Sequence, residues 1–227
     1  MIVADLKPLE EIAAAIDGFE KVMLLACGGC VSVCRTGGEA EAHDLARELA
    51  RTECLAGRAP EFTVAAIERQ CERDLVERYL KIEPGTSAVL SLGCGVGVQT
   101  LADVYEDLPI IPALSTTFMG AADEAGVWRE KCKGCGDCLL TGTAGVCPIA
   151  RCSKSLLNGP CGGSQDGHCE VDPEVPCAWL LIYERLKRQG RLARMQQITP
   201  PRDWRPAGHN GPRERQRRGI APGRRVR

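Results

Sequence analysis

Aromatic side chains are scarce. Three each of Phe, Tyr and Trp make up 4% of the 227 residues, so a packed core has to be assembled from Leu, Ile, Val and Ala. Histidine is scarce too: three are present, each isolated, and none stands where it would pair a base with a nucleophile. Long apolar runs are missing, and no segment approaches the ~18 continuous apolar residues that a membrane helix needs. The opening stretch MIVADLKPLEEIAAAIDGFE carries acids where a secretory signal carries bases, and a cytoplasmic location is expected. Net charge is small, −1 at neutral pH, which gives no overall pull towards nucleic acid or a membrane surface. That near-neutrality is a balance of opposites. Pro206 to Arg227 holds seven arginines and one acid, while the rest of the chain carries 22 bases against 29 acids.

What the chain has in excess is sulfur. It contains 14 cysteines, and a reducing compartment does not favour their pairing as disulfides. They are read as metal ligands, with a few buried or idle.

The first part, residues 1–125, alternates helical patterns with short apolar runs. Leu9, Ile12, Ala13, Ile16 and Phe19 follow helical spacing. KVMLLAC, FTVAAI, AVLSLGC and PIIPAL read as strands, and EAEAHDLARELART, ERDLVERYLK and VQTLADVYE as helices between them. This alternation predicts an α/β fold with a parallel sheet flanked by helices on both faces. Sites in such folds lie beyond the carboxyl ends of the strands. Cys27 and Cys94 end strands, Cys71 follows one, and Cys30 and Cys34 lie in the turn after the first. These five thiols are candidates for one metal site at one sheet edge. For each singly, a small buried core cysteine is the plain alternative. Cys54 is read as a bystander. GCGVG after the third strand lacks the spacing of a dinucleotide loop, and no acid stands at the required distance.

Residues 126–200 are expected to form a small cysteine-rich, ferredoxin-like metal domain closed by a helix, CAWLLIYERLKRQG. Residues 201–227 read as an Arg-, Gly- and Pro-rich disordered tail. The cysteine-rich part holds Cys132, Cys135, Cys138, Cys147, Cys152, Cys161, Cys169 and Cys177. Eight thiols are twice the ligand count of one cubane or one zinc. C-x-x-C-x-x-C followed by C-P matches the bacterial ferredoxin arrangement, although eight residues rather than three separate Cys138 from Cys147. Three closely spaced thiols suit a 4Fe–4S cluster better than a tetrahedral zinc, which prefers paired knuckles; zinc remains the alternative. One division of the ligands puts Cys132, Cys135, Cys138 and Cys177 on one cluster, and Cys147, Cys152, Cys161 and Cys169 on the other. Gly134, Gly136, Gly159, Gly162 and Gly163 flank these thiols, where backbone N–H groups can donate to sulfur.

The stretch CKGCGDCLLTGTAGVCPIARCSKSLLNGPCGGSQDGHCEVDPEVPCAWLLIYERL resembles the methylenetetrahydrofolate reductase C-terminal family; SLLNGPCGG, CEVD and CAWLLIYERL are its most distinctive parts. CGGCVSVCRTGG and SLGCGVGVQT are similar to the N-terminal region of the family's stand-alone, MetV-type version. The likeness covers nearly the whole chain except the arginine tail. It implies an accessory iron–sulfur subunit of an oxidoreductase complex, not catalytic alone, that passes electrons to or from a MetF-type flavoprotein. FAD is expected on that partner only, and a further electron-donor protein would complete the chain of transfer. No membrane or nucleic-acid partner is expected. Two other readings stay open: a zinc-stabilised structural subunit of the same complex, and an enzyme in its own right using the first-half thiols.

Overall fold

The computed structural model describes residues 1–55, 57, 60–208 and 212–213, without the side chains of Cys54 and Leu55. The reading of Cys54 as a bystander, and most of the arginine-rich tail, therefore lie outside the described residues. The elements run β1 (Ile2–Leu6), α1 (Leu9–Ala15), β2 (Lys21–Cys27), α2 (Cys30–Val33), α3 (Glu39–Leu55), β3 (Glu61–Ile67) and α4 (Arg73–Tyr79). They continue with β4 (Ala88–Ser91), α5 (Gly95–Val104), β5 (Ile110–Pro112), β6 (Leu114–Glu124), β7 (Val127–Cys132), α6 (Pro148–Arg151) and α7 (Ala178–Arg188). Short 3-10 turns close the series at Leu192–Gln196 and Arg205–Ala207. The chain divides into two units, Met1–Glu130 and Lys131–Arg227.

The apolar run KVMLLAC sets the first unit. Side chains alternate across a strand, and both faces of β2 are buried. Val22, Leu24 and Ala26 face one cluster with Ile12 of α1 and Leu45 and Leu49 of α3. Met23 and Leu25 face a second with Val76 of α4 and Leu101 of α5. A strand apolar on both faces is the mark of a parallel sheet covered by helices. The sheet is parallel, in the order β3-β2-β4-β5.

A second sheet was not expected. Strands β1, β6 and β7 form an antiparallel sheet in the order β1-β6-β7. The run expected as one strand at PIIPAL therefore splits. Residues 110–112 join the parallel sheet, and the chain passes through the buried Ala113 into β6. The first helix also ends earlier than its apolar spacing suggests: Phe19 packs against the core from outside it.

In the second unit, α7 carries the core. Ala178, Trp179, Ile182 and Leu186 face Ala144 and Val146, the one-sided stripe that 3.6-residue spacing produces. Gly190, at φ +65°, stands just past its end as the spacing predicts. Away from β7, the described residues of this unit hold only α6, α7, the 3-10 turns and isolated bridges such as Gln165 with His168. The likeness to a ferredoxin is thus confined to the cysteine spacing. The loops are too rich in Gly, Pro and Cys to pair as strands. Residues 201–208, expected in the tail, instead pass beside the C-x-x-C-x-x-C loop, and Arg202 has a side chain only 2% exposed. Among the described residues no helix is long and apolar enough to cross a membrane.

Candidate metal centres

In the first unit, sheet order decides which thiols can meet. β3, β2 and β4 are neighbours, so the turns beyond their carboxyl ends lie side by side. Cys27 is the last residue of β2 and pairs with Ile67, the last of β3. Cys71 lies in the turn after β3, and Cys94 caps the N-terminus of α5 after β4. Burial first, then the nearby charges of Cys94 and Cys27, push the Cys71 thiol above its ordinary value. Cys30 opens α2, three residues beyond Cys27. The unexpected antiparallel sheet helps to enclose this edge: Val3, Ala4 and Leu114 pack with Cys27 and Cys34, and Cys94 and Phe118 pack against them.

Cys34 stands apart. It is 4% exposed, its thiol reaches the Val31 carbonyl at 3.5 Å, and it shares a 3.2 Å contact with the Thr36 hydroxyl. Its hydrogen bonds are met locally, as expected of a buried structural cysteine.

Sequence spacing gave no sign of Gln70. It is fully buried, donates to the Leu25 carbonyl at 2.8 Å and accepts from the Ser91 hydroxyl at 2.6 Å. Ser91 Oγ in turn accepts from the Gly93 N–H at 3.1 Å. The amide thereby ties the ends of β2 and β4 to the loop that carries Cys71. It also accounts for two of the three glycines of GCGVG. A Cβ at Gly97 would come within 2.8 Å of Gln70 Cβ, and one at Gly93 would overlap its Oε1. These glycines make room for glutamine. Gln70→Leu should destabilise the first unit by about 1–3 kcal/mol, because Ser91 and the Leu25 carbonyl are left buried with a partner lost. Urea unfolding monitored by circular dichroism measures this.

In the second unit, Cys152, Cys161, Cys169 and Cys177 line one small cavity together with Arg151, Trp179 and other residues. Cys152 ends α6 and Cys177 caps α7, so two short elements bring distant thiols to one place. This differs from the division expected from sequence. Cys177 lines the cavity with Cys152, Cys161 and Cys169, and Cys147, which caps the N-terminus of α6, is not among the lining residues. The space is about 20 Å³, room for little more than one water, so a multi-atom cluster requires the thiol rotamers to open outward. The Cys169 thiol is held below its ordinary value, first by the Ser153 hydroxyl, 3.4 Å away, and then by the Val171 backbone. Trp179 forms an inner wall, with its indole N–H donating to the Leu156 carbonyl at 3.1 Å. Tyr183, one turn on, is exposed.

The remaining thiols are Cys132, Cys135 and Cys138 in the glycine-rich loop, with Cys147 further along. Donors point at sulfur here as well. The Gly134 N–H reaches Cys132 Sγ at 3.3 Å, and Arg202 Nη2 reaches Cys135 Sγ at 3.1 Å. Arg202 lay in the supposed tail, and nothing in the spacing of the sequence pointed to it. Among the described residues, no three or more His, Cys, Asp or Glu side chains stand, as placed, where together they could hold a metal ion. The donor chemistry nevertheless fits one. Anionic thiolates need N–H, hydroxyl or guanidinium partners, and Cys132, Cys135 and Cys169 have them.

Compared with known proteins, residues 111–205 match the family described as methylene-tetrahydrofolate reductase C terminal. That span includes all eight second-half cysteines and Arg202, and leaves out the five thiols of the parallel-sheet edge. No curated protein and no solved structure matches the chain.

Proposed function

From the match of residues 111–205 to the methylene-tetrahydrofolate reductase C-terminal family, we propose that this chain is the iron–sulfur electron-transfer subunit of a methylenetetrahydrofolate reductase complex. Its partner is a MetF-type flavoprotein whose FAD handles the folate. The observation that supports this reading is that Cys152, Cys161, Cys169 and Cys177 line one cavity, four thiolates being the ligand count of a cubane. Cys132, Cys135, Cys138 and Cys147 are left as the second set, and Cys27, Cys30, Cys71 and Cys94 as a third. Clusters bound there would supply one-electron steps at potentials set by their surroundings.

The chain's own residues do the rest. Thiolates hold the metal, while the Gly134 N–H, Arg202 and the Ser153 hydroxyl offset their negative charge. Trp179 and Ala178 line the inner side of the cavity with apolar surface, which limits water around the sulfurs. No side chain of this chain is assigned to proton transfer.

The test is electron delivery. The dithionite-reduced chain, freed of excess dithionite and mixed without oxygen with the flavoprotein, should bleach the flavin absorbance in a stopped-flow trace. A flavin that stays oxidised contradicts the reading. A second reading, a zinc-stabilised structural subunit, draws on the small size of the cavity, which suits one ion better than a cubane. It predicts a colourless chain that leaves the flavin untouched.

A further inference from the structure

We propose that Arg202 is a positioning residue for the metal centre of the Cys132–Cys138 loop: a buried guanidinium that donates to its sulfur atoms and raises its reduction potential. The inference rests on the iron–sulfur reading above and adds a residue that no ligand motif contains.

The starting point is an imbalance. A guanidinium carries five N–H donors and no acceptor, and burying one without partners is costly. The Arg202 side chain is 2% exposed. Nη2 is satisfied by Cys135 Sγ at 3.1 Å and by the Asp137 carbonyl. Nε and Nη1 are shielded from solvent and have no hydrogen-bond partner among the described residues. Three of the five donors are therefore unmet beside a thiol of the C-x-x-C-x-x-C loop. Folded proteins rarely leave such groups unanswered.

The neighbours do not answer it. The Asp137 carboxylate is 3.8 Å from Nη2 but 59% exposed, so water screens it. The Trp204 ring lies 5.1 Å from the guanidinium carbon, which favours the charge through the ring face but accepts no hydrogen bond in the guanidinium plane. What is missing is a compact anionic acceptor next to Cys135. Thiolate and sulfide sulfurs of a cluster held by Cys132, Cys135 and Cys138 have that chemistry. Hydrogen bonds and positive charge directed at cluster sulfur favour the reduced, more negative state and raise the potential.

The segment that carries Arg202 is fastened to the loop by other contacts. At Gly136, φ +82°, a Cβ would come 2.6 Å from the Pro206 carbonyl oxygen, so only glycine admits this approach. Arg213 Nη1 donates to the carbonyls of Gly134, at 2.9 Å, and Pro206, at 2.8 Å. These contacts are independent of the Arg202 head group, and a variant at 202 should keep the segment docked.

The test compares the wild-type full chain with Arg202→Met and Arg202→Lys, all purified without oxygen. Each is titrated with a redox mediator set and monitored by electron paramagnetic resonance, with iron analysis alongside. With iron retained, Arg202→Met should lower the potential of one centre by about 59 mV or more, a tenfold change in its reduced-to-oxidised ratio at fixed potential, and leave the other centres unmoved. Loss of one centre's iron in Arg202→Met with retention in Arg202→Lys also supports the role. Unchanged potentials with iron retained overturn it, as does equal iron loss in both variants, which marks a structural strut. A wild-type chain without iron defeats the iron–sulfur reading itself, whereas clusters indifferent to residue 202 defeat only this inference.

Discussion

Cys161→Ser should cost the chain about four iron atoms and about four sulfides, with little change in the fold of the first unit. Cys161 is an exposed cysteine on the cavity shared with Cys152, Cys169 and Cys177. Serine nearly matches its size, so packing is spared, but its hydroxyl is a poor ligand where a thiolate is needed. One lost ligand in four leaves a cubane open to water and oxygen. The paired control is Cys34→Ser. That thiol already has the Val31 carbonyl and the Thr36 hydroxyl as partners, and a serine hydroxyl can make both contacts. It should lose no iron. The contrast separates ligands from bystanders better than either variant alone, because both exchange sulfur for oxygen. Iron and acid-labile sulfide assays on the two proteins, purified side by side, give the result. Equal iron in both would remove Cys161 from any cluster.

Stripping the metal should unfold the second unit and spare the first. The first unit has three buried apolar clusters, two of them on opposite faces of the parallel sheet. Among its described residues the second has one, made of Ala144, Val146, Ala178, Trp179, Ile182 and Leu186. Its loops run from Cys132 to Cys177 with only the four-residue α6 between them. So small a core supplies only a few kcal/mol, and folds of this kind rely on a bound metal for the remainder. After chelation under oxidant-free conditions, limited proteolysis should cut within residues 133–176 and leave a fragment near residues 1–130 intact. Mass spectrometry of the fragments reads this directly. If both units resist protease equally after metal removal, the thiols are not what holds the second unit.

How much of this could be seen in the sequence varies by element. The parallel sheet was legible because KVMLLAC and AVLSLGC are short, largely apolar runs alternating with helical patterns, as strands covered on both faces are. The antiparallel sheet was not. Of the residues in β6, Leu114 and Gly120 are buried and the others are exposed or partly so, so its alternation is too weak to mark a strand. IVADL is short and precedes a helix that attracts attention first. The placement of Cys27, Cys71 and Cys94 past the ends of neighbouring strands was legible from the rule that sites lie there, since sheet order then did the rest. The placement of Cys177 on one cavity with Cys152, Cys161 and Cys169 was not, because it depends on where α6 and α7 start and on a cavity that no spacing encodes. Gln70 and Arg202 were invisible for a related reason. Both act through burial, and burial of a single polar residue leaves no periodic trace. Arg202 was further hidden by composition: it lies in PPRDW, which opens a stretch rich in Arg, Gly and Pro.

The central claim is that these thiols hold iron and sulfide. Iron, acid-labile sulfide and zinc measured on the full chain purified without oxygen test it most directly. About eight iron and eight sulfide per chain are expected from the second unit, rising to about twelve of each if the sheet-edge thiols hold a third cluster, with little zinc. A chain containing neither iron nor sulfide, with zinc in their place or no metal at all, would contradict the account.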